Sequence, residues 1–132
     1  MIRIILDSNF ILAEFQFQID ILHKLALLLK GNVEPVIISP VNDELRSMAL
    51  DRESSRSRAA AKALETIRQI QVEEVNKEPN ESVDDVIVRV SSQKKWVVAT
   101  NDRKLRKRLD ALSIPTVYLR QRTHLEAKGI PT

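Results

Sequence analysis

The chain is predicted to fold as a three-layer α/β/α sandwich around a mostly parallel sheet of roughly five strands. Short apolar runs alternate with longer segments of helical periodicity, which is the pattern of parallel strands joined by crossover helices. No internal repeat, low-complexity tract or linker interrupts this alternation, and 132 residues are enough for one core. We therefore expect a single domain over residues 1–132.

The first half of the chain is predicted to contain two strands, each followed by a helix. Met1–Leu6 is a compact apolar run typical of a buried strand, and Phe17–Leu29 places its leucines and isoleucines on one helical face. Val33–Ser39 is predicted as the second strand. Ser39 and Pro40 then form a helix-start pattern, with serine as N-cap and proline at the first helical position.

The second half repeats the alternation with shorter strands. The predicted elements are, in chain order, a polar loop over 51–58, a helix over 59–70, a short strand over 72–75, a loop over 76–81, a helix that begins after Ser82, a strand over 96–99, a helix over 102–112 and a last strand over 116–119. This order favours a mostly parallel sheet with helices on both faces.

The composition restricts the kinds of site that the chain can build. It contains no cysteine, so disulfides and thiolate metal sites are excluded, and His23 and His124 are its only histidines. A bound metal would need mainly oxygen ligands, which predicts Mg²⁺ or Mn²⁺. The apolar runs are short and no signal-peptide pattern opens the chain, so we expect a cytoplasmic protein without a membrane partner.

The charge is distributed unevenly along the chain. Nine basic and two acidic residues lie between positions 94 and 122, which gives this segment +7 and leaves −4 for the rest of a chain of net charge +3. This asymmetry predicts contact with a polyanion near the C-terminal third. The alternative is that the basic run is simply a solvated helix face.

Acidic residues occur at four places, each just after a predicted strand. They are Asp7, the pair Asp43 and Glu44, the pair Asp84 and Asp85, and Asp102. The carboxyl ends of parallel strands share one edge of the sheet, so these acids are expected to converge there. Clustered carboxylates repel one another unless a proton or a cation neutralises them. A divalent metal would resolve the conflict, and metal-assisted phosphodiester cleavage is the first chemistry to consider.

Each acidic position also has a purely structural interpretation. Asp7 or Ser8 could cap the helix that follows, and Thr100 or Asp102 could do the same later in the chain. Acids in the first turn of a helix also favour its dipole, which applies to Asp43 and Glu44. These interpretations are reasonable one by one, but acids at four successive strand-to-helix junctions are more than capping requires.

Two of the acidic positions contain adjacent acids, and the pattern favours one of each pair. Glu44 borders the apolar stripe of its helix and Asp43 lies further round toward solvent, so Glu44 is the predicted inward-facing acid. Ser82 and Asp85 have the spacing of a capping box, which leaves Asp84 without a structural task. We therefore predict Asp84 as the primary ligand and Asp85 as its substitute or support.

The motifs around these acids resemble those of PIN-domain ribonucleases. They are Leu-Asp-Ser-Asn at 6–9, Glu-Leu at 44–45, Val-Asp-Asp-Val-Ile at 83–87, Val-Ala-Thr-Asn-Asp-Arg at 98–103 and Ile-Pro-Thr-Val-Tyr-Leu-Arg at 114–120. The resemblance runs nearly end to end. Because each motif is short, the resemblance depends on the order of the motifs, the spacing between them and their positions relative to the predicted strands.

The resemblance implies a metal-dependent endoribonuclease that cleaves single-stranded RNA with a metal-activated water. It assigns the acidic quartet to Asp7, Glu44, Asp84 and Asp102, with Mg²⁺ or Mn²⁺ as cofactor and Asp85 as a further metal ligand. The side chains expected to support the acids are Ser8, Asn9, Thr100 and Asn101. Those expected to contact the RNA backbone are Arg103, Lys104, Arg106, Lys107, Arg108, Arg120 and Arg122. Family members include toxins of toxin–antitoxin pairs and ribosome-maturation nucleases, so an antitoxin, a ribosome-assembly partner and a homodimer are expected partners.

Two other functions are compatible with the same fold class. One is a catalytically inactive PIN-fold module for RNA binding or assembly, which metal-dependent cleavage would distinguish. The other is a phosphoacceptor receiver domain, which also gathers acids at strand ends. Receivers pair their acids after the first strand, whereas here the paired acids open a helix in the middle of the chain.

Overall fold

A computed structural model describes residues 1–51 and 54–130, and its described part contains one six-stranded sheet. The strands are β1 (Ile2–Leu6), β2 (Val33–Ile38), β3 (Gln71–Glu73), β4 (Val97–Ala99), β5 (Thr116–Arg120) and β6 (His124–Lys128). Their order across the sheet is β3-β2-β1-β4-β5-β6, and every neighbouring pair is parallel except the antiparallel β5–β6 pair. The mostly parallel α/β sandwich predicted from the sequence is confirmed, with one strand more than expected.

Helices connect the strands. They are α1 (Ser8–Gln16), α2 (Ile21–Leu28), α3 (Ser39–Leu50), α4 (Ser55–Thr66), α5 (Val83–Lys94) and α6 (Arg103–Ala111). Helices α1, α3 and α4 contact one another, and α5 contacts α6. The connections from β1 to β2 and from β2 to β3 run one way across the sheet, and those from β3 to β4 and from β4 to β5 run the other way. Because parallel crossovers are right-handed, the two sets of helices lie on opposite faces of the sheet.

The centre of the sheet is a continuous apolar core. Ile4, Ile5 and Leu6 of β1 have no exposed surface, and neither do Val98 and Ala99 of β4. Strands buried on both faces are expected to be apolar along their length rather than alternating. The strand order reverses at β1, which is flanked by β2 on one side and β4 on the other. Such a reversal opens a crevice at the carboxyl ends of the strands, where doubly wound proteins bind ligands.

The helical segment after β1 differs from its prediction. In place of one helix over Phe17–Leu29, the chain forms α1 from Ser8 and a separate α2 from Ile21. Phe17 is the C-cap of α1, and Gln18 has a positive φ of 55° that separates the two helices. Asp20 then caps α2 by accepting a hydrogen bond from the His23 amide at 3.1 Å.

Two helix starts also differ from the predicted pattern. Ser39 is the first residue of α3 rather than its N-cap, and its hydroxyl group exchanges hydrogen bonds of 3.1 and 3.0 Å with the backbone of Val75. Ser54 caps α4, which begins at Ser55 inside the predicted polar loop over 51–58. Arg52 and Glu53, also part of that predicted loop, lie outside the described residues.

The sixth strand follows a tight turn that the sequence gives little reason to expect. Gln121 and Arg122 both have positive φ values, 54° and 62°, and the Thr123 amide donates to the Arg120 carbonyl at 3.2 Å. Two consecutive positive φ values match the right-handed twist of a hairpin, but Asn-Gly or Asp-Gly is the usual signal.

No helix in the described part of the chain is long and apolar enough to cross a membrane.

Candidate active site

Asp7 lies at the carboxyl end of β1, where the strand order reverses. Its side chain is buried, with 3% exposed, and its amide donates to the Ala99 carbonyl of β4 at 3.0 Å. One carboxylate oxygen, Oδ1, accepts from the Ser8 amide at 2.8 Å. The other, Oδ2, accepts from the Asn9 side-chain amide at 3.0 Å and from the Thr100 hydroxyl group at 2.8 Å. Asp7 therefore caps α1 and is held at a fixed position at the same time.

The surroundings of Asp7 favour its protonated form. Burial raises the pKa of its carboxyl group from 3.8 to about 6, and the charges of Asp84 and Glu44 add to the rise. The hydrogen bonds from Thr100 and Ser8 oppose it. Desolvation and like charges both disfavour a carboxylate, whereas a bound cation would favour it. A fixed, buried acid with a raised pKa beside other acids is typical of a functional site.

Glu44 reaches the same edge from the second turn of α3, which begins at Ser39 and has no acid in its first turn, so the expected first-turn dipole role of Asp43 and Glu44 is wrong. Its Oε1 accepts a hydrogen bond of 2.6 Å from the hydroxyl group of Ser8, which lies 36 positions earlier in the chain. Asp43, the preceding residue, is exposed. The structure thus places Glu44 toward Asp7 and Asp43 toward solvent, in the orientation that the apolar stripe of α3 predicts.

The two acids that open α5 have different surroundings. Asp85 completes a capping box with Ser82, accepting from the Ser82 amide at 2.9 Å, and its Oδ1 lies 3.0 Å from Arg108 Nη1. These contacts hold the pKa of Asp85 below its usual range. Asp84 is half-buried and faces the other acids. The capping interpretation therefore describes Asp85, and Asp84 is left as the acid of this pair that belongs to the cluster.

Asp102 caps α6, so its structural interpretation is also correct. Its Oδ1 accepts from the amides of Lys104 and Leu105 at 2.8 and 3.1 Å. Its own amide donates to the Thr100 hydroxyl group at 3.1 Å, and that hydroxyl group donates to Asp7. Thr100 thus links the acid after β1 to the acid after β4. Capping and membership of the acidic cluster are compatible roles for one residue.

Two asparagines fix the loops that carry these acids. Asn9 Oδ1 accepts from the Asn101 amide at 2.9 Å, while its Nδ2 donates to Asp7. Asn101 Oδ1 accepts from the Leu119 amide of β5 at 2.8 Å. The start of α1, the end of β4 and the end of β5 are therefore joined by side-chain hydrogen bonds. All four predicted supporting residues lie in this network.

Asp84 is the electrostatic centre of the cluster. Burial raises the pKa of its carboxyl group, and the charges of Asp102 and Glu44 raise it further, while Arg108 opposes the rise. Asp84 in turn raises the pKa of Asp7. The four acids of the predicted quartet are thus near enough for each to interact with at least one other. Within residues 1–51 and 54–130, however, no three acidic or histidine side chains form a ready-made group of metal ligands.

The donor chemistry of the cluster nevertheless fits a hard divalent cation. A carboxylate offers about four lone-pair positions, and the hydrogen bonds to Asp7 occupy three, which leaves one on Oδ1. In the described part of the chain, the second oxygens of Glu44 and Asp102 accept no hydrogen bond, and neither does the carboxylate of Asp84. Mg²⁺ keeps several waters and is often held by only one or two carboxylates. Waters that such an ion keeps can therefore connect it to carboxylates that are too far apart to bind it directly.

The predicted RNA-contacting residues do not form one uniform surface. Arg108 pairs with Asp85, and Arg120 pairs with Glu126 at 2.7 Å. Arg122 lies over the Phe17 ring at 5.3 Å from its centroid. The remaining four belong to α6, and they are Arg103, Lys104, Arg106 and Lys107.

Two residues beside α6 were not singled out from the sequence. The Tyr118 ring carries the Arg106 guanidinium 4.1 Å above its centroid, and Lys128 of β6 lies beside the same helix. Alternation along β5 could have placed Tyr118 on the face that α6 covers. Lys128 could not have been found, because the strand that carries it was not predicted.

A comparison with protein families matches residues 4–122 of this chain to the PIN like domain. The chain is also similar to Ribonuclease VapC4 of Methanocaldococcus jannaschii, with 25% identity over 130 residues that cover 98% of this chain and 99% of that protein.

Solved structures show the same similarity. The PIN domain endonuclease Utp24 matches with a TM-score of 0.78 and 25% identity, over 97% of this chain and 92% of that one. A domain of a functionally unknown protein from Methanocaldococcus jannaschii matches with a TM-score of 0.66 and 13% identity, over 91% and 92% of the two chains. The second match shows the fold alone. The family match spans most of the chain and agrees with the acidic motifs, so this chain belongs to the PIN-like domain family.

Proposed function

We propose that this protein is a metal-dependent endoribonuclease that cleaves single-stranded RNA. The observation that carries the proposal is the convergence of Asp7, Glu44, Asp84 and Asp102 at the point where the strand order reverses. Burial and mutual repulsion raise the pKa of Asp7 to about 6, so an unneutralised cluster is unfavourable at neutral pH. A cation would remove that cost. The relatives named ribonuclease and endonuclease support the same reaction class.

Asp7, Asp84 and Asp102 are the proposed metal ligands, with Glu44 as a further ligand or a group that positions water. Mg²⁺ or Mn²⁺, when bound, would supply an activated water and neutralise charge on the departing oxygen. Ser8, Asn9 and Thr100 hold Asp7 through both of its oxygens, and Ser8 also holds Glu44. Asp85 stays in a supporting role because its cap and ion pair already engage it. Partners that hold and orient acidic ligands are a general requirement of metal sites.

The basic residues after Asp102 are proposed to contact the RNA backbone. Phosphate contacts position a nucleic acid without reading its sequence. In the mechanism proposed here, water and not the ribose 2′-hydroxyl group attacks the phosphorus, and no covalent enzyme intermediate forms. An antitoxin or a ribosome-assembly protein is the proposed partner class. Homodimer formation and a cytoplasmic location are part of the same proposal.

Cleavage of end-labelled single-stranded RNA tests the proposal. The wild type should cut with Mn²⁺ or Mg²⁺ and stop in EDTA, and Asp7→Asn and Asp84→Asn should abolish cutting while remaining folded by circular dichroism. Asp43→Asn is the matched control, because it makes the same change at an exposed acid of the same edge. The products should carry no 2′,3′-cyclic phosphate, because the 2′-hydroxyl group takes no part.

Two results would count against this function. If Asp7→Asn cleaves RNA as fast as the wild type, the acidic cluster takes no part in the reaction. A folded protein that binds RNA but cuts none of a broad panel with either ion would support an RNA-binding or assembly module instead.

A further inference from the structure

Helix α6 has three distinct sides. Successive residues of an α-helix are turned by about 100°, so positions three and four apart share a side. The buried side carries Leu105 and Leu109. The basic residues are divided between the other two sides, with Lys104 and Arg108 on one and Arg103, Arg106 and Lys107 on the other.

The first basic side faces α5 and is partly neutralised. Arg108 Nη1 lies 3.0 Å from Asp85 Oδ1, and α5 and α6 are in contact. The positive charge of Arg108 is therefore engaged in joining the two helices, whereas Lys104 forms no ion pair among the described residues. With one of its two positive charges paired, this side is the less suitable of the two for receiving an anion.

The second basic side faces the β5–β6 hairpin. Thr116 and Tyr118 are two positions apart in β5 and therefore project from the same face of the sheet. Lys128 of β6 is paired in register with Thr116. Residues directly opposite in an antiparallel pair project from the same face of the sheet. A depression of about 450 Å³ lies between this face and α6. Its charged lining residues are Arg103, Arg106, Lys107 and Lys128, with Asp110 as the one acid.

The depression carries a net charge of +3, from these four basic residues and one acidic residue. Lys128 Nζ lies 2.7 Å from Asp110 Oδ2, so one of the four positive charges is paired. In the described part of the chain, Arg103 and Lys107 form no ion pair. The depression is therefore suited to an anion.

The Arg106 side chain is held in place within this depression. Its guanidinium lies 4.1 Å from the centroid of the Tyr118 ring. The Tyr118 hydroxyl group donates to Glu126 at 2.8 Å, which fixes the ring beneath it. The Nε atom of Arg106 is buried and has no hydrogen-bond partner among the described residues. A buried donor without an acceptor is rare in folded proteins and calls for an explanation.

We infer that this depression is a phosphate subsite that holds the backbone of an RNA strand running from the acidic cluster along α6. The inference rests on the proposed function and adds a location to it. Arg103 directly follows Asp102, so the depression begins beside the cluster and extends toward Lys128 along the helix. Guanidinium groups bind phosphate oxygens in a planar, paired geometry, and a stacked guanidinium is already oriented for it. Arg106 and Lys128 thus become part of the substrate path, and Arg108, which is paired with Asp85, is removed from the basic residues after Asp102 that are proposed to contact the RNA.

A pair of double variants tests the inference. Arg103→Gln with Lys107→Gln removes two exposed charges from the depression and keeps residues of similar helix propensity. Arg58→Gln with Lys62→Gln is the control, because it changes the same residue types at the same spacing on exposed positions of α4. Both pairs change the net charge equally.

The measurement is the affinity of each protein for labelled single-stranded RNA in EDTA, over a range of salt concentrations. Each lost phosphate contact should reduce the slope of log affinity against log salt by about 0.7 for single strands. We expect a reduction of about 0.7 or more in the Arg103 and Lys107 variant, equal for RNAs of different sequence, and none in the α4 control. Equal slopes in the two double variants would overturn the subsite.

Two further results separate this inference from the proposed function. If the wild type binds no RNA, the proposed function fails and the subsite fails with it. If the wild type cuts RNA but the two double variants have equal slopes, the function stands and the subsite alone is wrong. Amide NMR titrations with inorganic phosphate and uridine monophosphate identify the source of the phosphate. Saturable shifts at 103–107 without any loss of RNA affinity in the variant would assign the depression to a free phosphate compound and overturn the RNA path.

Discussion

The raised pKa of Asp7 predicts a specific pH dependence of stability. The carboxyl group ionises near 3.8 in the unfolded chain and near 6 in the folded one, so the folded protein binds more protons between these values. The contribution of Asp7 to the free energy of unfolding therefore falls as pH rises through this window, and it is constant above it. At about 1.36 kcal/mol for each pH unit, the ionised form of Asp7 costs the fold about 3 kcal/mol at pH 7. Asp7 is buried, so little of this cost is screened by solvent.

Urea unfolding of the wild type and Asp7→Asn in EDTA, between pH 4 and pH 7, measures this cost. The asparagine does not titrate, and the groups outside the acidic cluster contribute equally to both proteins. The free energy of unfolding of the variant minus that of the wild type should thus increase by most of the 3 kcal/mol as pH rises. Curves that stay parallel over this range would refute the reasoning, because the environment of Asp7 would then not disfavour its charge.

Three further predictions concern the neighbouring residues. The pKa of Asp85 is lowered, first by the Ser82 amide and then by Arg108, so its stabilising contribution is present above pH 3.8 and lost as pH falls below it. Urea unfolding should show Asp85→Asn less stable than the wild type at pH 7, with the two converging in acid. A difference that is independent of pH would contradict this origin. Glu44→Gln should slow RNA cleavage by between about 10- and 100-fold, as expected for a group that orients a metal site, and equal rates for this variant and Asp43→Asn would exclude it. Phe10→Ala empties a fully buried position and should lower the free energy of unfolding by about 3–5 kcal/mol, and a loss under 1 kcal/mol in urea unfolding would show that the core is wrongly described.

The sheet and its central strands could be predicted because apolar runs and turn residues specify them locally. β1 and β2 follow their predicted ranges closely, and Ser82 forms the capping box that its spacing predicts. The boundary between α1 and α2 could not be predicted. The break depends on a left-handed conformation at Gln18, and no residue there signals it.

The sixth strand was missed for a related physical reason. Its turn uses Gln121 and Arg122 in left-handed conformations instead of glycine or asparagine. Leu125 is its only buried hydrophobic residue, and the polar–apolar alternation of the strand includes just two apolar positions, Leu125 and Ala127, which is too short a pattern to predict a strand. Pairing with β5 determines this strand, and that pairing is not visible in local sequence.

The candidate site shows a similar division. The positions of Asp7, Glu44, Asp84 and Asp102 follow from strand ends and helix faces, which the sequence contains. The hydrogen bonds that join Ser8 to Glu44 and Thr100 to Asp7 span 36 and 93 positions, and they require the fold. Helical periodicity separates Lys104 and Arg108 from the other basic residues of α6, but which side faces α5 and which faces the β5–β6 hairpin is determined by the fold.

Cleavage of a circular single-stranded RNA tests the central claim most directly. A circle has no ends, so only an endonuclease can open it, and the product is a single linear strand. With Mn²⁺ the wild type should linearise the circle, while EDTA or Asp7→Asn should leave it closed. A circle that stays intact with folded wild-type protein and either ion, or one that Asp7→Asn opens as fast as the wild type, would contradict the assignment of this acidic cluster as the centre of a metal-dependent endoribonuclease.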